Sequence, residues 1–347
     1  MVSDQMYKFV PQKKRSDFRI KCGMLLFCTL RRLEWVKNSA KYASLKKSLK
    51  FLKSKGEGDS KILQEKAFPF VAFEHSTPLF RNLSGSDILL EQNKVCNLSI
   101  AVSLLDGLIL EKGKTFSYWK CIGKPSKSRG FKEGLVLKSG RLSSGIGGGL
   151  CQASNLLYWM TLHTPLVVTQ RWRHSYDVFP DSSRTQPFGS GATCVYNYRD
   201  LQIKNETDQA FLLKVWIQDG KLCGQWRTQR PLADKYEVYE KKHWITMEMA
   251  GVYVRHNVLS RRHFVPSANA GNVAHAFGED FPKTFDEKAC FSEENDFSQT
   301  FDEKKAAQSD LSHGAKGENL VLAEDVEIAF NDAIMMYNPL LSEKGQE

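Results

Sequence analysis

Apolar and polar residues recur along this chain in two rhythms, and each predicts a kind of element. Between 97 and 105, Leu98, Ala101, Val102 and Leu105 return at helical spacing, and Asp106-Gly107 ends the run. Leu108-Ile109-Leu110 then reads as a short strand. The spacing predicts its best helix over 151–163, with Ala153, Leu156, Leu157 and Met160 on one face and Cys151, Asn155 and Tyr158 on another. Residues 166–169 follow as a strand, and 114–119 and 131–138 read as strands or extended loops. From 192 to 227 the pattern turns β. Short strands are predicted at 194–198, 201–204, 210–217 and 221–226, with turn residues at 205–208 and 218–220. Without repeated βαβ units the expected class is α+β: one main domain, in which a helix carrying Gly-Gly-Gly-Leu-Cys-Gln precedes an antiparallel β meander.

The two ends read differently. Residues 23–30 form an apolar run behind a basic segment, closed by Arg31-Arg32. A membrane-crossing helix needs roughly 20 apolar residues, and no small-residue cleavage site follows the run. It is either a core-packing helix or part of a basic amphipathic segment, residues 1–55, that touches an anionic membrane surface. Lys41, Lys46, Lys47, Lys50, Lys53 and Lys55, interleaved with Leu45, Leu49, Phe51 and Leu52, suit either. Residues 53–60 read as a linker. Residues 266–320 are polar and acidic, repeat a motif at 280–289 and 296–305, and are expected to be disordered. Apolar character returns after 320, and 326–333 reads as a helix that docks back. The expected organisation is a basic arm (1–60), the main domain (61–265), the acidic segment (266–320) and a C-terminal helix with an end segment (321–347).

Charge sharpens this division. Of the 347 residues, 1–60 hold fifteen Lys/Arg against five Asp/Glu, and 266–347 hold six against seventeen. The net charge is +10, so the chain is a basic body with an acidic tail. Nucleic acid is not an expected partner, because no motif supports it and the aromatic residues are not interleaved with the basic ones. Eight scattered cysteines include no C-x-x-C pair, which argues for reduced thiols rather than a zinc site or a disulfide framework. Residues 107–115 imitate a phosphate loop but place five residues between Gly107 and Gly113 where four are required. No metal or cofactor is expected. The expected location is cytoplasmic, peripheral at the membrane.

Candidate chemistry centres on Cys151. The turn Gly147-Gly148-Gly149 delivers it to the start of a helix, where the dipole and free N–H groups can lower a thiol pKa. It reads either as a nucleophile toward an acyl group or as a small buried side chain. The glycines either form an anion-binding nest or a turn too tight for a Cβ. His174 is the natural base, or else a strand-end histidine. Asp200, with Asp177 and Asp181 and the amides Asn197 and Asn205 as alternatives, could orient it. Gln152 could donate to an oxyanion or cap the helix. Asn155 shares the Cys151 face. Arg171, Arg173 and Arg184 could clamp the terminal carboxylate of a cell-wall peptide, or form a solvated basic face. Trp119, Trp159 and Trp172 read as core or groove wall.

These motifs also carry a resemblance. Gly147–Trp159 (GGGLCQASNLLYW), LHTPL at 162–166, Arg171 with His174-Ser175, the block 178–193 and YNYRDLQIKNET at 196–207 occur in the order found in the VanW family. The chain resembles its short branch, found with B-type glycopeptide-resistance genes, over about 66–265, and MMYNPLL at 335–341 resembles the usual ending. The resemblance implies a tie to glycopeptide resistance and the bacterial cell envelope. It implies no defined activity. Longer relatives often carry Glu at the place of Gln170 and Asp at that of Gly191, so any chemistry needing those acids is absent here. The leading expectation is therefore a Cys151–His174 enzyme that transfers an acyl group or cleaves an amide in cell-wall peptide or precursor; the alternatives are a non-catalytic module that binds such a peptide or an envelope partner, and a structural accessory at the membrane surface.

Overall fold

Capping side chains start the first helices. The computed structural model describes residues 16–54, 56, 58–80, 88–138, 141–174, 176–177, 186–249, 252–266 and 320–335. Ser16 accepts from the Arg19 N–H at the head of α1 (Asp17–Lys37), Ser44 caps α2 (Leu45–Lys53) and Asp59 caps α3 (Ser60–Ala67). Strand β1 (Phe70–Pro78) is followed by α4 (Ile88–Leu105), which buries Leu98, Ala101 and Leu105 as their spacing predicts. Next come β2 (Leu108–Leu110), β3 (Thr115–Ser117), the short helix α5 (Tyr118–Ile122), β4 (Glu133–Lys138) and β5 (Arg141–Ile146). The glycine turn then opens α6 (Cys151–Leu162). After it run β6 (Val167–Gln170), β7 (Tyr176–Asp177), β8 (Gln202–Lys204), β9 (Phe211–Gln218) and β10 (Lys221–Thr228). The long strands β11 (Lys235–Met249), β12 (Val252–Pro266) and β13 (Leu320–Met335) complete the order.

Helices and mostly antiparallel sheets make the fold α+β. One sheet has the order β1-β10-β9-β2, and a smaller one β3-β8-β6. The β4–β5 hairpin stands apart. Helix α6 lies across the first sheet. Trp226 of β10 donates from Nε1 to the Thr161 hydroxyl at 3.2 Å. Gly224, also on β10, leaves room for α6, since a Cβ there would meet Met160 at 2.9 Å. Leu156, Leu157, Met160, Phe211, Leu213 and Trp226 join one core with Tyr42 and Trp119. The boundary expected near residue 60 therefore does not isolate residues 39–53. Tyr42 is fully buried, the Ala43 N–H bonds the Thr115 carbonyl, and Ser48 accepts from the Ile109 N–H.

Three expectations are corrected. Residues 326–333 lie in β13, not in a helix, because β12 pairs with them, Val258 opposite Phe330, with one irregularity at Ile328. The last sheet has the order β11-β12-β13-β7, its β13–β7 pairing is parallel, and Pro266 stands opposite Leu320. Residues 194–198 are a turn closed by a bridge between Val195 and Arg199, not a strand. Tyr118 and Trp119 belong to α5, whose first turn is fixed by Ser117 accepting from the Lys120 N–H. The acidic segment with its repeat, from 267 to 319, lies outside the described residues, as do Asp181 and Arg184.

Candidate active site

The turn before α6 is shaped by close packing. Gly147 and Gly149 have φ of 80° and 90°, the left-handed region that glycine enters without a steric penalty. Gly148 is pressed on the β4 backbone: a Cβ there would stand 2.1 Å from the Gly134 carbonyl carbon. Fully buried Asn97 locks the contact. Its Nδ2 donates to the Gly148 and Lys132 carbonyls at 2.9 and 3.0 Å, and its Oδ1 accepts from the Lys132 N–H at 2.8 Å. The Gly147 and Gly148 N–H groups bond the Lys132 and Gly145 carbonyls, so they face protein and not a ligand.

Cys151 opens α6, but burial overrides the dipole. Its S–H donates to the Cys194 carbonyl at 3.7 Å, a bond that favours the protonated thiol, and desolvation pushes the thiol above its ordinary value. The half-buried thiol is thereby held toward its neutral form, against the activated thiolate expected at this position. Gln152 is committed too. Its Nε2 donates to Thr77 Oγ1 at 3.0 Å and to the Pro78 carbonyl at 2.9 Å, tying α6 to β1.

One turn along, Ser154 and Asn155 grip residue 192 from both sides. The Ser154 hydroxyl donates to the Ala192 carbonyl at 2.7 Å, and Asn155 Oδ1 accepts from the Ala192 N–H at 2.8 Å. Asn155 Oδ1 also lies 3.2 Å from His174 Nε2. An oxygen that accepts there makes Nε2 the protonated nitrogen, which leaves Nδ1 to accept from the Thr193 hydroxyl at 2.7 Å. Both ring nitrogens are engaged, and neither partner is Cys151. Burial, with the Arg171 charge behind it, pushes the imidazole down to about 4. Thiol up and imidazole down is the reverse of a thiolate–imidazolium pair.

Other candidates serve the same scaffold. Arg171 donates to the Gly191 and Gly189 carbonyls at 2.9 and 2.6 Å, and its guanidinium lies 5.0 Å from the centre of the Tyr158 ring. It clamps a loop, not a ligand carboxylate. Asp200 is fully buried away from His174. It accepts from the Ser117 hydroxyl at 2.5 Å, the Trp119 and Leu201 N–H groups at 3.0 Å and Gln202 Nε2 at 3.4 Å. Desolvation pushes its carboxyl up to about 6. The imidazole is oriented by Asn155, not by Asp200. Asn197 donates to the Cys28 carbonyl of α1, and Asn205 to the Leu110 and Gln209 carbonyls. Gly191 packs on the centre itself, since a Cβ there would stand 2.7 Å from Asn155 Oδ1 and 3.2 Å from His174 Nε2. Among the described residues no group of three or more His, Cys, Asp or Glu could hold a metal.

Beside this centre lies an exposed aromatic platform. Trp172 is 42% exposed, the Arg199 guanidinium sits 5.4 Å from its ring, and its carbonyl accepts from the Thr193 N–H at 2.8 Å. The sequence reading missed Thr193 and Asn97. Thr193 lies inside the block 178–193 that carries the resemblance, while Asn97 gave only the signal of a polar residue at the start of an apolar helical run.

Residues 93–227 match the family model described as VanW like protein, a span that holds Asn97, the glycine turn, Cys151, His174 and Thr193. The Vancomycin B-type resistance protein VanW of Enterococcus faecalis is 34% identical over 194 residues, 56% of this chain and 70% of that protein. The uncharacterized protein YoaR of Bacillus subtilis is 28% identical over 126 residues, 36% of this chain and 40% of that protein. No solved structure matches the chain. With a relative of that identity covered over most of its length, and a family match that spans the whole candidate centre, the chain belongs to the VanW family.

Proposed function

We propose that this protein is a binding module of the cell envelope that recognises a cell-wall peptide or its precursor without breaking a bond in it. The observation that carries the reading is the state of His174. A general base needs a nitrogen free to take a proton from the nucleophile. His174 spends Nδ1 on Thr193 and Nε2–H on Asn155, while the Cys151 proton stays on sulfur. Of the two places where the resemblance implies acids in longer relatives, Gly191 borders this histidine. Gln170 instead accepts from Arg31 at 2.7 Å, and Gly191 offers no side chain. The Trp172–Arg199 platform suits a peptide that ends in a carboxylate. The printed name of the E. faecalis relative supports an envelope context.

A second reading keeps a Cys151–His174 enzyme for acyl transfer or amide cleavage. It is favoured by one observation: Cys151 lies one helical turn from Asn155, which touches His174. One experiment separates the two. A cell-wall stem peptide with a free C-terminus is titrated calorimetrically into the wild type, Cys151→Ser and Trp172→Ala, and each mixture is then read by mass spectrometry. The binding reading expects unchanged affinity in Cys151→Ser, about tenfold weaker binding in Trp172→Ala and intact peptide throughout. Peptide consumed by the wild type and not by Cys151→Ser would establish the enzyme. No binding to any form would sink the module.

A further inference from the structure

Helix α1 is built inside out. The face it turns to the protein carries Cys28, Arg31, Glu34 and Trp35, and three of these four are polar anchors. Arg31 pairs with Glu34 at 2.8 Å and donates to Gln170, Glu34 also accepts from the Tyr42 hydroxyl, and the Cys28 S–H donates to the Tyr196 carbonyl at 3.8 Å. The opposite stripe runs Phe18, Cys22, Leu25, Thr29, Leu33 and Val36, at steps of three and four, with Leu26 and Leu30 beside it. Phe18, Leu25, Leu33 and Val36 are 60–78% exposed. A helix of a water-facing protein keeps the reverse arrangement.

We propose that α1 lies in the plane of an anionic lipid bilayer surface, with Phe18, Leu25, Leu26, Leu30, Leu33 and Val36 immersed. Two observations choose this occupant. The first is charge. Arg19, Lys21, Arg32 and Lys37 are exposed on the helix, and exposed Lys46, Lys50 and Lys53 follow on α2. The one acid among residues 18–37 is Glu34, which faces inward. A second copy would bring this basic helix against itself, whereas anionic headgroups complement it. The second is length and polarity. At 21 residues α1 spans roughly 30 Å, yet no helix of the described residues is long and apolar enough to cross a membrane. In-plane docking has a consequence for the site. Through Arg31–Gln170 and the Asn197 bond to the Cys28 carbonyl at 3.3 Å, α1 holds the strand and turn that flank Trp172 about one helix diameter, ~10 Å, from the lipid. The proposal stands apart from the peptide-binding reading, because vesicle binding does not need Trp172.

The test uses the full chain and sedimenting vesicles of phosphatidylcholine, alone or mixed with phosphatidylglycerol at about three to one. The wild type is expected to bind the anionic vesicles, with binding that falls as salt rises. Leu25→Glu/Leu33→Glu, whose side chains point outward, should keep the melting transition and bind at least about tenfold more weakly. A polarity-sensitive dye on exposed Cys22, itself within the stripe, in a Cys290→Ser background, gives a second readout that leaves its apolar residues unchanged. Its emission should shift to the blue with anionic vesicles. Full binding by the double variant, equal binding to neutral vesicles, or no dye shift would overturn the proposal. So would a dimer seen by ultracentrifugation and abolished by the same two substitutions, which would assign the stripe to a second copy.

Discussion

Asn155 does more at the centre than either of the residues first suspected of chemistry. Its single oxygen receives both the Ala192 N–H and the His174 Nε2–H. Asn155→Ala strands two half-buried donors at once, at about 1–3 kcal/mol each, so urea unfolding should show a loss of about 2–6 kcal/mol. A loss near zero would mean that water replaces the amide. Cys151, held as a thiol, should resist iodoacetamide near neutral pH in the folded protein while exposed Cys22 reacts. Mass spectrometry that finds Cys151 labelled first would restore the nucleophile. The histidines fix a pH trend. His163 and His174 stay neutral to about 4 in the fold, against an ordinary 6.5. The unfolded chain therefore takes up those protons first as the medium is acidified, and stability that is complete above about 6.5 is lost toward 4. Asp200 acts oppositely. Its raised value near 6 lets the native state bind a proton first, adding stability as pH falls from 6 to 4. Two histidines outweigh one carboxylate, so the urea midpoint should fall between pH 6.5 and 4. His174→Gln should remove part of that fall, on the order of 3 kcal/mol at most, and an unchanged slope would count against the neutral imidazole.

Among the elements, the junction of the β4–β5 hairpin with α6 tolerates least. A Cβ on Gly148 would meet backbone, 2.1 Å from the carbon and 2.2 Å from the oxygen of Gly134, and no side chain can swing aside to relieve it. Gly148→Ala should cost about 3 kcal/mol or more in thermal or urea unfolding. Gly220→Ala is the contrast. It has φ of 69° and open space around its Cβ position, and should cost about 1 kcal/mol. Equal losses would show that the hairpin yields. The same elements mark how far the sequence could be read. Helix α6 was legible because Ala153, Leu156, Leu157 and Met160 form a one-sided stripe just after a glycine turn, and Asn155 was rightly set on the Cys151 face. The partners of His174 were not legible, because they depend on where residues 189–193 cross α6, a path fixed by Arg171 holding the Gly189 and Gly191 carbonyls. Asp200 looked like a site acid, since nothing local reveals that its oxygens are filled by Ser117 and backbone N–H groups. For 326–333, Val326, Ala329, Phe330 and Ala333 suit a helix while Val326, Ile328 and Phe330 suit a strand. The decision lies with β12, distant in sequence.

Across the whole molecule, the long sheet joins strands that lie far apart along the chain. Pro266 ends β12 directly opposite Leu320 at the head of β13, so residues 267–319 leave and return at one place. Their composition predicts no core of their own. Replacing them with a turn of about four residues should therefore keep the stability against unfolding or raise it, by up to about 2 kcal/mol of loop-closure entropy. A clear fall would show that the segment packs on the fold. The same pairing separates covalent continuity from structural continuity. β13 is hydrogen-bonded to β12 along nearly its whole length and to β7 on its other edge. A protease that cuts between 266 and 320 would thus leave two fragments still clasped as one particle, intact in size on a column and divided only on a denaturing gel.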